Sequence, residues 1–299
     1  GMTFPLEMTK GVTEVKRPQE PKAPYPYETE EVIFKNEVDG ATLAGTLTWP
    51  VGYDKNAKKK PMVLLFVSGS GQQNRDEELM NHKPFLVIAD YLARQGIASL
   101  RYDDRATGKS TGGDVKNATT EDFARDAAAG LEFLRSKKAF SKVGILGHSE
   151  GGTIAFMLGA QKKVDFIVSL AGPSIKGDTL LAAQSNRILS FSGMPANVTV
   201  EKYRQTASAA KIPWLDWFTN YDPTDNIRQT RCPVFALNGN YDCQVISSLC
   251  LPAFQKLLPP SKKNLIKEYP GLNHLFQHST TGLPTEYGSI EETISPEVL

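Results

Sequence analysis

Lys142-Val143-Gly144-Ile145-Leu146-Gly147-His148-Ser149-Glu150-Gly151-Gly152 decides the fold of this chain. An apolar run ends in a glycine-flanked serine, and Thr153-Ile154-Ala155-Phe156-Met157-Leu158 continues in a helical pattern. This predicts strand, sharp turn and helix, with the serine at the apex. A serine held in that way sits in strained backbone, where side chains two positions to either side would collide with the neighbouring strand and helix. The pattern Gly-x-Ser-x-Gly alone is weak. Its context must decide whether Ser149 is a nucleophile or an idle residue in a glycine-rich turn.

That context is a strand-helix alternation. Strands are expected at 62–67, 97–102, 143–146, 166–170, 234–237 and 265–269, with helical patterns between most of them. Such alternation is the signature of a mostly parallel sheet with helices on both faces. Ahead of it, 31–35 and 43–49 flank a turn at Asp39-Gly40 and read as an antiparallel hairpin at a sheet edge. Phe123, Ala127, Leu131 and Leu134 recur at helical spacing after Thr119-x-x-Asp122, an N-terminal cap pattern. Residues 1–29, with Pro5, Pro18, Pro21, Pro24 and Pro26 among charges, read as a linker or surface strap. The core is expected at 30–172 and 232–299. Between them, 173–231 loses the strand rhythm and reads as an inserted helical cap. Its aromatics Trp214, Trp217, Phe218 and Tyr221 either line an acyl pocket or form the cap's own small core.

Composition narrows the function classes. With 34 basic and 33 acidic residues in 299, the net charge of +1 offers no broad field for nucleic acid or an anionic membrane. A small, roughly neutral substrate fits better. The longest apolar run, Met62 to Val67, falls far short of the roughly 20 residues a membrane span needs, so a soluble chain is expected. Three cysteines, Cys232, Cys243 and Cys250, lack metal-ligand spacing and are expected as free thiols. No metal-ligand cluster and no cofactor motif is present; the Lys109-Ser110 pair lacks the glycine spacing of a phosphate-binding loop. The opening Gly1-Met2 reads as a remnant of tag removal, which leaves the compartment open between exported and cytoplasmic.

A serine hydroxyl needs a histidine to take its proton and a carboxylate to orient that histidine. In this type of sheet the order along the chain is serine, acid, histidine. The strand at 234–237 runs into Asn238-Gly239-Asn240-Tyr241-Asp242, which makes Asp242 the preferred acid over Asp222 and Asp225 near the end of the cap. The next strand exits into Pro270-Gly271-Leu272-Asn273-His274. Of the four histidines, the order rule leaves His274 and His278, and His274 is preferred because it follows the strand exit directly. The amide of Glu150 and one from Ser68-Gly69-Ser70-Gly71, with Ser70 first and Gly71 second, are expected to face a developing oxyanion. The charged runs Arg101 to Ser110 and Asn74 to Glu78 are read as internal salt bridging, loop bracing or solvated surface.

On the stretches Gly69 to Glu77, Arg101 to Arg105, Gly147 to Gly152 and Gly271 to Gln277, the chain resembles the α/β-hydrolase superfamily, and within it the bacterial EstD-type esterases. The resemblance runs from about residue 30 to the end. It implies a carboxylesterase preferring short acyl chains, without a cofactor, with Ser149, Asp242 and His274 as triad, and it makes export plausible. Three departures stand out: Ser68 where many hydrolases have histidine, Ala106 where the charged loop often has glycine, and an end at Leu299 where a final helix would be expected to continue across the sheet. The expectation is a serine hydrolase of small esters acting through an acyl-enzyme. Peptidase or thioesterase chemistry on the same fold, and a binding module without turnover, are the alternatives.

Overall fold

In a computed structural model, which describes residues 15–299, eight strands form one open sheet. They are β1 (Thr29–Asn36), β2 (Ala41–Thr48), β3 (Met62–Val67), β4 (Ala98–Tyr102), β5 (Lys142–His148), β6 (Ile167–Leu170), β7 (Val234–Gly239) and β8 (Leu265–Tyr269). The spatial order is β1-β2-β4-β3-β5-β6-β7-β8. β2 runs antiparallel to both β1 and β4, and every other neighbouring pair is parallel. This is the α/β-hydrolase fold. The hairpin turns at Gly40, whose φ of 70° lies in the left-handed region that the Asp39-Gly40 pair accommodates.

The sheet is sandwiched because its central strands are apolar on both faces. Along β3, Val63, Leu65 and Val67 join the core under helices α2 (Thr120–Ser136), α3 (Glu150–Ala160) and α8 (Ser247–Leu257), while Leu64 and Phe66 face the opposite core with α1 (Pro84–Arg94). The period of two in a strand makes that division. α2 starts where its cap pattern places it: the Asp122 carboxylate accepts from the Thr119 amide at 2.7 Å and from the Thr119 hydroxyl at 2.9 Å.

Between β6 and β7 lie α4 (Gly177–Phe191), α5 (Val200–Ala210), α6 (Pro213–Asn220) and α7 (Thr224–Gln229). The first three pack on one another around Leu180, Leu181, Phe218 and Trp214. α7, counted with the insertion in the sequence, packs instead on α3, and its Ile227 is wholly buried in the main core. The chain thus rejoins the core before residue 231. Residues 1–14 of the proline-rich arm lie outside the described residues. From residue 15 the arm acts as a strap: the Arg17 guanidinium donates to the carbonyls of Gly288 and Ile290, and Gln19 bonds Thr293 and Ile294. At the other end, where a final helix was expected, Ile294, Val298 and Leu299 lie in irregular chain beside an apolar recess of about 750 Å³ on the α1 face.

Candidate active site

Ser149 stands between β5 and α3 with φ 52° and ψ −118°, a conformation that costs an L-residue energy and persists only where packing enforces it. The enforcement is visible in its neighbours. A β-carbon on Gly147 would overlap the Gly151 carbonyl, and one on Gly151 would overlap the Val67 carbonyl of β3. Glycine at both places lets strand, turn and helix approach closely enough to hold the serine upright.

Asp242 and His274 arrive from the neighbouring exits of β7 and β8. The Asp242 carboxylate is 1% exposed and fully used. Oδ1 accepts from the amides of Gln244 at 2.8 Å and Val245 at 2.9 Å, and Oδ2 lies 2.7 Å from His274 Nδ1. With Nδ1 committed to Asp242, Nε2 is the uncommitted nitrogen of His274. Ser149 and His274 line one cavity of about 210 Å³; among the described residues Ser149 Oγ makes no hydrogen bond. Nucleophile-to-base contacts are commonly long before substrate binds. The competing residues occupy other places. Asp222 accepts from the Thr224 amide in a turn, Asp225 is exposed beside Arg228, and His278 is exposed and paired with Glu292.

Of the expected oxyanion donors, Ser70 lines the cavity and its amide has no acceptor among the described residues. Gly71 instead borders a small separate recess with Glu150 and Asp104. Glu150 opens α3, so its amide is one of the unpaired donors of a helix N-terminus. Its side chain turns away into the protein, accepting from Thr120 Oγ1 at 2.6 Å and from Trp214 Nε1 of α6 at 2.8 Å. Burial pushes that carboxyl above the usual carboxylate range, against the pull of these donors. Trp214 is therefore tied to the residue following Ser149.

The four cap aromatics divide by helical spacing. Trp214 and Phe218, four apart, stack at 5.2 Å between ring centroids and line the cavity with Leu180 and Leu181. Trp217 and Tyr221, also four apart, stack on each other at 4.5 Å outside the cavity lining. One helix presents two faces, and only one of them meets the site.

The charged loops brace the site from behind. Arg105 is 1% exposed and donates to both oxygens of Asp126, at 2.7 and 2.9 Å, and to Asp39 at 3.1 Å. Arg75 pairs with Asp103 at 2.8 Å, and Asp76 with Arg101. Burial pushes the Asp104 carboxyl up to about 8, although Gln73 N and Ser68 Oγ donate to it.

Two groups at the site escaped the sequence reading. Glu77, in a run read as solvated or bracing, is 4% exposed, and its Oε1 accepts from the Gly69 amide at 2.7 Å. The same oxygen lies 2.9 Å from Nδ1 of His148, which the order rule set aside. A signal was available: β5 neighbours β3, so the residue before the serine abuts the loop leaving β3, where the carboxylates lie.

Three comparisons bear on this geometry. The family described as serine aminopeptidase, S33, matches residues 83–213. The esterase EstD of Thermotoga maritima is 25% identical over 289 residues, covering 91% of this chain and 68% of the relative. Among solved structures, an esterase of Pyrococcus furiosus, Pf2001, aligns with a TM-score of 0.57 at 18% identity over 87% of this chain and 91% of the other. Est1E of Butyrivibrio proteoclasticus with bound ferulic acid aligns with a TM-score of 0.56 at 18% identity, over 81% and 90%.

Proposed function

We propose that this chain, an EstD-like α/β-hydrolase and a carboxylic ester hydrolase, cleaves small, uncharged, short-acyl esters through an acyl-enzyme on Ser149. Asp242 fixes the proton of neutral His274 on Nδ1, so Nε2 takes the Ser149 proton as the hydroxyl attacks the ester carbonyl. The tetrahedral oxyanion is met by the amides of Ser70 and Glu150, which are fixed before the charge develops. Nε2–H then protonates the departing alcohol, and a water activated by the same nitrogen releases the acid.

The observation that carries the reading is the Asp242–His274 bond at 2.7 Å opening onto the cavity that Ser149 lines. The cavity also supports the substrate class. At about 210 Å³ it lies below the usual range of roughly 300–1,000 Å³ for ligand sites. Leu180, Leu181, Trp214, Phe218 and Val245 give it apolar walls suited to an acyl group. Its only lining carboxylate among the described residues, Glu77, is already paired through Oε1 with the Gly69 amide and His148, so the cavity offers no second carboxylate for the ammonium of a peptide N-terminus. That favours esters over aminopeptidase substrates.

Hydrolysis of p-nitrophenyl acetate, butyrate and octanoate, set beside alanine p-nitroanilide, tests the reading. Turnover that falls with acyl length and is weak on the anilide is expected. Preference for octanoate, or faster turnover of the anilide, would overturn it.

A further inference from the structure

A second carboxylate-histidine pair stands directly behind the first. His148 is buried, its ring centroid 4.8 Å from that of His274, and both of its nitrogens meet acceptors. Nδ1 lies 2.9 Å from Glu77 Oε1, and Nε2 lies 3.0 Å from the His274 carbonyl oxygen. A carbonyl oxygen can only accept. A neutral imidazole has one N–H, so it satisfies one of these contacts and turns a lone pair toward the other acceptor. An imidazolium beside an ionised Glu77 satisfies both.

Glu77 carries marks of the same arrangement. Its φ of 51° puts a non-glycine residue in the left-handed region, a strained conformation kept where surrounding contacts demand it. Oε1 binds the Gly69 amide as well as His148, so that amide is unavailable to substrate and Ser70 is left to face the oxyanion. The packing at Gly69 is tight: a β-carbon there would lie 3.2 Å from Ser149 Cβ, 3.5 Å from Glu77 Oε1 and 3.6 Å from His148 Nδ1.

The geometry points to Glu77 and His148 as a charged positioning pair that locks the Gly69-Ser70 loop to the His274 loop, setting oxyanion donor and general base in register across Ser149. The inference rests on the Ser149–His274 reading of the site. Neither residue touches the reacting atoms: Glu77 acts through the amide of Gly69, the neighbour of the oxyanion donor Ser70, and His148 through the carbonyl of His274. Burial works against the charge on His148, and the Glu77 carboxylate with the His274 carbonyl outweighs it, so the imidazolium persists above the ordinary histidine range. The ionisable groups facing His148 are Glu77 from the loop after β3, His274 from the loop after β8 and, further off, Asp242 from the loop after β7. As pH rises through the raised value, the proton leaves, the pair dissolves and kcat should fall on its alkaline side.

The test uses Glu77→Gln, His148→Gln and, as a control, the exposed neighbour Glu78→Gln, with folding checked by circular dichroism. Imidazole 15N shifts of the wild type, assigned by the His148 variant, should show both His148 nitrogens predominantly protonated at about pH 6.5, where an ordinary histidine is half neutral. In both pair variants kcat should fall on the order of 10–100-fold, the scale of a small misplacement of reacting groups, with KM changed less than about threefold. The alkaline limb should vanish in His148→Gln, and Glu78→Gln should behave as wild type. A neutral His148 at about pH 6.5, the ordinary histidine value, or wild-type kcat in both pair variants, would overturn the proposal. Ser149→Ala, assayed alongside, separates the two ideas: surviving turnover there refutes the serine assignment, not the pair.

Discussion

Replacing Asp242 by asparagine changes one atom and tests the logic of proton placement. The carboxylate has two jobs in the structure. Oδ1 receives the amides of Gln244 and Val245, and Oδ2 receives His274 Nδ1. An asparagine there has one acceptor oxygen and one NH₂. With its oxygen turned to the two amides, the NH₂ points at Nδ1, which must then be a lone pair. His274 is held with its proton on Nε2 and cannot accept the serine proton. The flipped amide would set NH₂ against two N–H donors and forfeit two charge-assisted bonds of about 1.5–3 kcal/mol each, so the structure selects the wrong tautomer. The expected loss in kcat is on the order of 10⁴, about 5 kcal/mol of transition-state stabilisation. Stability should drop by only about 1–2 kcal/mol, because the amide oxygen still accepts both backbone bonds. Steady-state hydrolysis of p-nitrophenyl acetate with urea unfolding of both proteins reads the two quantities. An Asp242→Asn enzyme retaining more than a tenth of wild-type kcat would refute the reasoning, as would an equal loss in Asp222→Asn.

Two further outcomes concern stability. Ala106 sits on the exposed loop after β4 with φ 54°, so Ala106→Gly should relieve left-handed strain. It should raise the unfolding free energy by about 0.5–1 kcal/mol, the strain of about 1–2 kcal/mol less the added chain entropy of glycine; unchanged or lower stability in urea would contradict this. Asp104 titrates near 8 in the folded protein, whereas an unfolded aspartate releases its proton near 4. Between those values the native state holds the extra proton, so the stability Asp104 contributes is greatest below about pH 4, declines as pH rises and levels off above about 8. The stability of the wild type relative to Asp104→Asn should therefore be greater at pH 5 than at pH 9, and a pH-independent difference would contradict the assignment.

The sheet was legible because its strands are apolar runs bounded by turn residues, and β3 in particular alternates between two cores. The sharp turn at Ser149 was legible because close approach admits only glycine at 147 and 151. What the sequence hid is which member of a polar run turns inward. In Asn74 to Glu78, Arg75 finds Asp103, Asp76 finds Arg101, Glu77 finds His148, and Glu78 is left in solvent. These partners come from β4, the loop that leaves it, and β5, and no local pattern distinguishes the three acidic neighbours. The cap shows the same limit. Four aromatics within eight residues look alike in sequence, yet helical geometry sends Trp214 and Phe218 to the cavity and leaves Trp217 and Tyr221 outside it. α7 was assigned to the insertion because six residues around Ile227 carry too short a pattern to reveal which core receives them.

The most direct test of serine catalysis is intact-mass analysis after exposure to a fluorophosphonate, followed by peptide mapping. The expected result is one adduct per chain, located on Ser149 and absent from Ser149→Ala. An unmodified wild-type protein that is folded, or an adduct on any other residue, would contradict the account.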